Sequence, residues 1–133
     1  VVIKKLLYFS NVKILLIAGP SDNEIVVSIV QKVNSSRVLF YHSTDVNLTA
    51  ALMERCSIFI SNDTGTRHLS VALKIPVVAL MPEDNQKCWN FYDESDNHFV
   101  LTGKRIYPQY AKPYLGEISV DDVYVWTKNY LKL

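Results

Sequence analysis

Apolar residues in this chain fall into short runs of two kinds, continuous and helically spaced, and the two kinds alternate. Residues 13–18 (KILLIA) are a continuous apolar run closed by Gly19-Pro20, which predicts a buried strand and a turn. From Ser21 or Asp22, either of which can cap a helix, Ile25, Val26, Ile29, Val30 and Val33 follow at helical spacing to about Val33. Residues 37–41 (RVLFY) predict a second buried strand, and 45–55 a second helix with Leu48, Ala51 and Leu52 on one face. Residues 57–61 (SIFIS) predict a third strand, 66–73 a third helix, 76–81 (PVVALM) a fourth strand, and 99–102 a fifth. The first nine residues fit a helix end or a strand. Lys4 and Lys5 share one side while Val2, Ile3, Leu6 and Leu7 share another, which favours helix. Residues 119–132 read as a closing helix: Ser119 can cap it, Asp121 and Asp122 suit its first turn, and Val123, Trp126 and Tyr130 share a face. Two stretches, 84–98 and 103–116, read as irregular.

The strands are apolar throughout rather than alternating, and helices separate them. That pattern predicts an α/β fold with a Rossmann-like parallel sheet covered by helices on both faces, in a single domain spanning 1–133. A hydrophobic fraction of 49% over 133 residues is enough for one core. With a net charge of +1 and 20% charged residues, the chain has no general attraction for nucleic acid or anionic membrane, so any anion site must be local. Cys56 and Cys88 lie far apart and form no CxxC motif, which reads as two reduced thiols in a cytosolic protein. The apolar N-terminal stretch holds Lys4 and Lys5, is too short to span a bilayer and lacks a signal-peptide cleavage pattern. The chain opens on apolar residues without a methionine, and it reads as a fragment of a longer protein.

Ligands of open parallel sheets bind beyond the carboxyl ends of the strands, here the loops 19–22, 42–45, 62–68 and 82–89. The third is the most informative. A strand runs straight into Asn62-Asp63-Thr64-Gly65-Thr66-Arg67-His68, and a helix follows. The first turn of a helix has unpaired N–H groups at the positive end of its dipole, and a glycine there lets a ligand approach the backbone. Thr64 and Thr66 add hydroxyl donors, and His68 can point back at the bound group, so these parts suit a phosphate or diphosphate. The same residues also fit a plain helix start, with Asp63 or Thr64 as cap, Gly65 easing the turn, His68 structural and Arg67 solvated at the surface. The acidic run Asp93-Glu94-Ser95-Asp96 with His98 reads as a solvated loop rather than a metal site. Lys104, Arg105, Tyr107, Tyr110, Lys112 and Tyr114 read as a loop packed across the domain, with contact to an anionic lipid surface or an acceptor as the alternative. Trp89, Phe91 and Tyr92 read as packing residues, Trp89 at the ligand-facing end of the sheet.

The stretch 62–80, NDTGTRHLSVALKIPVVAL, resembles the signature of glycosyltransferase family 9, the bacterial lipopolysaccharide heptosyltransferases: a strand, D-T-G-x-x-H, a small-residue helix and a Pro-led strand. The order of elements resembles the C-terminal domain of that family over nearly the whole chain. The resemblance implies a GT-B type transferase whose N-terminal half binds a glycolipid acceptor and whose C-terminal half binds a sugar nucleotide, typically ADP-heptose. It implies that Asp63 faces the donor sugar, that Thr64 and Gly65 hold the diphosphate, and that His68 supports the same region. It further places Asp22, or Glu24, at the ribose and Thr44 at the adenine pocket. No cofactor or metal is implied, the catalytic base belongs to the acceptor half, and the setting is cytoplasmic, with at most peripheral contact at the inner face of the inner membrane. The chain departs from the family in two respects. The strand, small-residue loop and phosphate-gripping lysine that open the family's domain are not seen in this chain, which reads as beginning in the helix after that loop, and Met81-Pro82-Glu83-Asp84 stands where a glycine before proline is common. A non-catalytic nucleotide-binding module and an interaction domain of the same fold are the alternatives.

Overall fold

The computed structural model describes residues 1–42, 44–106 and 114–133, with the backbone alone at Lys87, Arg105 and Tyr114. The elements are α1 (Val2–Phe9), β1 (Ile14–Ala18), α2 (Asn23–Val33), β2 (Val38–His42), α3 (Val46–Met53), β3 (Phe59–Asn62), α4 (Gly65–Ala72), β4 (Val77–Pro82), α5 (Glu83–Trp89), β5 (His98–Gly103), β6 (Arg105–Ile106), β7 (Tyr114–Leu115) and α6 (Val120–Leu131). The fold is α/β, with parallel strands flanked by helices, and each expected strand and helix is present within about two residues of its predicted ends. Among the described residues no helix is long and apolar enough to cross a membrane.

The sheet differs from the single ladder that the sequence predicts. β1 pairs with β2, and β4 pairs with β3 on one side and β5 on the other, all in parallel, but β1 and β3 do not pair. Burial follows from pairing. β4 has a neighbour on each side, and its Val77, Val78, Ala79 and Met81 are completely buried. β1 and β3 each keep an unpaired edge; β1 is half-buried over most of its length, and so are Phe59 and Ile60 of β3. β2, predicted to be buried, is an edge strand whose Leu39 and Phe40 are exposed; only Val38 joins the cluster formed by Ile3 and Leu7 of α1.

Several helix ends follow from their caps. Asp45 accepts from the amides of Asn47 and Leu48 and starts α3. Ser119 and Asp122 bond reciprocally at the start of α6, as the sequence predicts. α4 ends with Lys74 in the left-handed region, φ 58°, where its amide donates to Val71 and that of Ile75 to Ser70, a Schellman closure built without glycine.

The stretch 84–98 is more regular than the sequence reading allowed. It holds nearly all of α5 and a short turn at 94–96 in which Asp93 accepts from Ser95. The helical signal was present: Pro82 immediately before Glu83 and Asp84 suits a helix start. Of the residues read as a packed loop, Tyr107, Tyr110 and Lys112 lie outside the described residues.

Candidate functional site

β3 delivers its last residue, Asn62, to the carboxyl edge of the sheet, and the chain turns through Asp63 and Thr64 into α4. Thr64 is the N-cap residue, in extended conformation, but its side chain makes no capping bond. Its hydroxyl instead meets that of Thr66 at 2.9 Å and that of Ser61 at 3.3 Å. Within the described residues the amides of Gly65 and Thr66 have no hydrogen-bond partner, as a helix's first turn leaves them unless something caps it. Gly65, but not Thr66, lines a cleft of about 300 Å³ together with Asp63, Thr64, His68, Asn85 and Trp89.

Gly65 shows what keeps this cleft open. Its φ is not positive, so the turn does not require glycine. A Cβ built there meets nothing within 4 Å, so packing does not require glycine either. The space a side chain would take at this position is open, so a ligand can approach the backbone there.

The floor of the cleft corrects the sequence reading of Arg67. Instead of lying solvated at the surface, Arg67 is completely buried. The reason is its partners: Nη2 lies 3.0 Å from Asp63 Oδ1, 3.1 Å from the Trp89 carbonyl and 3.2 Å from His68 Nε2, and Nη1 lies 3.2 Å from His98 Nε2. Its guanidinium also sits over the Tyr92 ring, 5.6 Å from the centroid. Asp63 is held from its other oxygen as well, where Asn85 Nδ2 donates to Oδ2 at 2.9 Å. Asn85 and Tyr92 also belong to the site, although the sequence reads 84–98 as irregular and so does not show the helix that brings Asn85 there.

A guanidinium only donates, so each imidazole nitrogen facing Arg67 must be an acceptor. Facing that donor with Nε2, His68 has its other nitrogen, Nδ1, placed to donate to Tyr92 Oη at 2.9 Å. Both its nitrogens are engaged inside the protein, and the ring lines the cleft without a free N–H aimed into it. His98 is buried, and burial first, then the Arg67 charge, holds its pKa below the ordinary histidine value. It faces Arg67 rather than forming a metal site with the acidic run, and among the described residues no group of three potential ligands is placed to hold a metal.

Asp22 and Thr44 follow the carboxyl ends of β1 and β2, where the sequence puts them, but neither lines this cleft. Both are exposed, as is Glu24 in the first turn of α2. A larger cleft of about 650 Å³ shares Asp63 and Asn85 with the first and is otherwise mainly apolar, with Val2, Ile60, Leu80, Ile118 and Val123 in its walls.

Fold and site together define an α/β domain of parallel strands with an uncapped helix N-terminus open at their carboxyl edge. The chain belongs to glycosyltransferase family 9 (heptosyltransferase), whose family model matches residues 2–114. It is similar to a protein of Haemophilus influenzae (strain ATCC 51907 / DSM 11121 / KW20 / Rd) named as a candidate glycosyltransferase, with 30% identity over 103 residues. That match covers 74% of this chain but 30% of the relative, so the chain spans about a third of the relative's length. No solved structure matches it.

Proposed function

We propose that the cleft at the start of α4 binds the diphosphate of a sugar nucleotide, and that this domain is the donor-binding, C-terminal part of a heptosyltransferase-like enzyme. The observation that carries the reading is the pair of unpartnered amides at Gly65 and Thr66, at a helix start where Gly65 lines a cleft and has open space beside it. Such amides favour an anion through hydrogen bonds and the helix dipole. The Thr64 and Thr66 hydroxyls stand beside them as further donors.

In sugar transfer the leaving nucleoside diphosphate gains negative charge as the glycosidic bond breaks. Fixed N–H groups aimed at it stabilise that charge without reorganising. Asp63, with one oxygen on Arg67 and the other on Asn85, serves better as a positioned acceptor for sugar hydroxyls than as a free base. The base that deprotonates the acceptor hydroxyl is then supplied by another domain, in keeping with a relative about three times as long. The unpaired edges of β1 and β3 fit the same reading, since one further parallel strand between them would join the two ladders into a single sheet. ADP-heptose as donor and a lipopolysaccharide core as acceptor follow from the family alone.

Calorimetric titration with ADP, UDP and CDP of the wild type and Gly65→Val tests the reading. The wild type should bind a nucleoside diphosphate, and the variant, whose side chain would enter the open space beside Gly65, should lose at least about tenfold in affinity while keeping its melting temperature. Equal affinity in both proteins would overturn it.

A further inference from the structure

Asp63 lines the same cleft as Gly65 at the start of α4, where a diphosphate would bring like charge. Uncompensated, it would repel such a ligand. Directly behind it lies Arg67, which is buried and does not line the cleft. Its contacts reach three residues that do: the Asp63 carboxylate, the His68 ring and the Trp89 backbone. Its Nη2 has two protons for these three acceptors, while its Nε has no partner. The guanidinium is therefore oriented toward the cleft wall at the cost of one of its own bonds.

We propose that Arg67 is the positioning residue of this site: it neutralises Asp63, so that a carboxylate can stand beside a bound diphosphate, and it fixes His68 as the neutral Nδ1–H tautomer. The first half rests on the reading of the cleft as a diphosphate site, whereas the second stands on geometry alone. With Nε2 facing a group that can only donate, a proton on Nε2 would meet an N–H. The proton therefore sits on Nδ1 and is donated to Tyr92 Oη. The anion's donors are thus the amides and threonine hydroxyls, and Arg67 acts through the residues it holds.

The tautomer is read by nitrogen-resolved NMR of the unliganded wild type at neutral pH. His68 should show a protonated Nδ1 and a bare Nε2, and Arg67→Met should move the proton toward Nε2. A wild-type His68 protonated on Nε2, or on both nitrogens, overturns the proposal whether or not a nucleotide binds.

The charge compensation is read by calorimetry with ADP on wild type, Arg67→Met and the double variant Arg67→Met/Asp63→Asn. The single variant should weaken binding by about tenfold or more, because it leaves a charge unpaired. The double variant should recover most of that loss. A purely structural arginine predicts a double variant no better than the single one, and that result overturns the proposal. If Arg67→Met does not fold, the double variant, which buries no unpaired charge, is compared with wild type. An affinity within about threefold supports compensation, and a loss beyond about tenfold overturns it. Wild type that fails to bind ADP refutes the diphosphate reading and the compensation with it, while the tautomer is decided separately.

Discussion

Asp63 and Arg67 stand one helical turn apart and form an ion pair, Oδ1 to Nη2 at 3.0 Å, in which the arginine is completely buried and the aspartate side chain is 14% exposed. Removing the acid strands the base. Asp63→Ala should destabilise the fold by about 3 kcal/mol, the cost typical of breaking a buried pair from one side. Urea unfolding at constant m-value measures it, and a loss under about 1 kcal/mol would show that His68, His98 and the Trp89 carbonyl suffice to hold the guanidinium.

His98 gives stability a pH dependence of definite sign. Its folded pKa lies below the ordinary value of 6.5, so in the range between the two the unfolded chain binds the proton and the native one does not. Its contribution is complete above the unfolded pKa and is lost as the pH falls from about 6.5 toward the folded pKa. His98→Gln, which keeps an acceptor for Arg67, should flatten that part of the profile in chemical denaturation. An unchanged slope would contradict the assignment.

The glycines separate by what a Cβ would meet. At Gly103 an added Cβ would lie 2.0 Å from the Gly116 carbonyl oxygen, a backbone atom that cannot step aside, so Gly103→Ala should destabilise strongly, by about 2 kcal/mol or more. Gly65→Ala meets only open space and should leave the melting temperature unchanged or slightly raised, since alanine suits a helix better. Comparable destabilisation at both positions would mean that Gly65 is structural.

Lys74 closes α4 in the left-handed region without glycine's freedom. Lys74→Gly should therefore stabilise by about 0.5–1 kcal/mol through relief of backbone strain. Thermal unfolding reports it, and a fall in melting temperature would show that the lysine side chain supports the helix end.

Much of this arrangement could be read from the sequence because it is local. Continuous apolar runs gave the strands, and helical spacing gave the helices, with Ser119 capping α6 as read, whereas Asp22 at the start of α2 makes no side-chain capping bond. The turn at 62–68 was legible for the same reason, since a strand, a glycine and a helix start are adjacent in sequence. What local pattern could not supply was pairing. Nothing in KILLIA or SIFIS says that β1 and β3 fail to meet, and RVLFY reads as buried although β2 is an edge. Two of Arg67's partners, Asp63 and His68, are local, but the Trp89 carbonyl and His98 that help to bury it come from α5 and β5, 22 and 31 residues away. A charged residue beside a turn looks solvated until the acceptors that bury it are in place. Asn85 and Tyr92 entered the site by the same long-range route.

The most direct test of the central claim is amide-resolved NMR during titration of the wild-type chain with ADP and UDP. A nucleoside diphosphate seated at the start of α4 should shift the Gly65 and Thr66 amide resonances first and furthest, saturably and with a single affinity, with Thr64 and Asn85 following. Saturable binding that leaves those two amides unmoved, or no binding of either nucleotide, would contradict it.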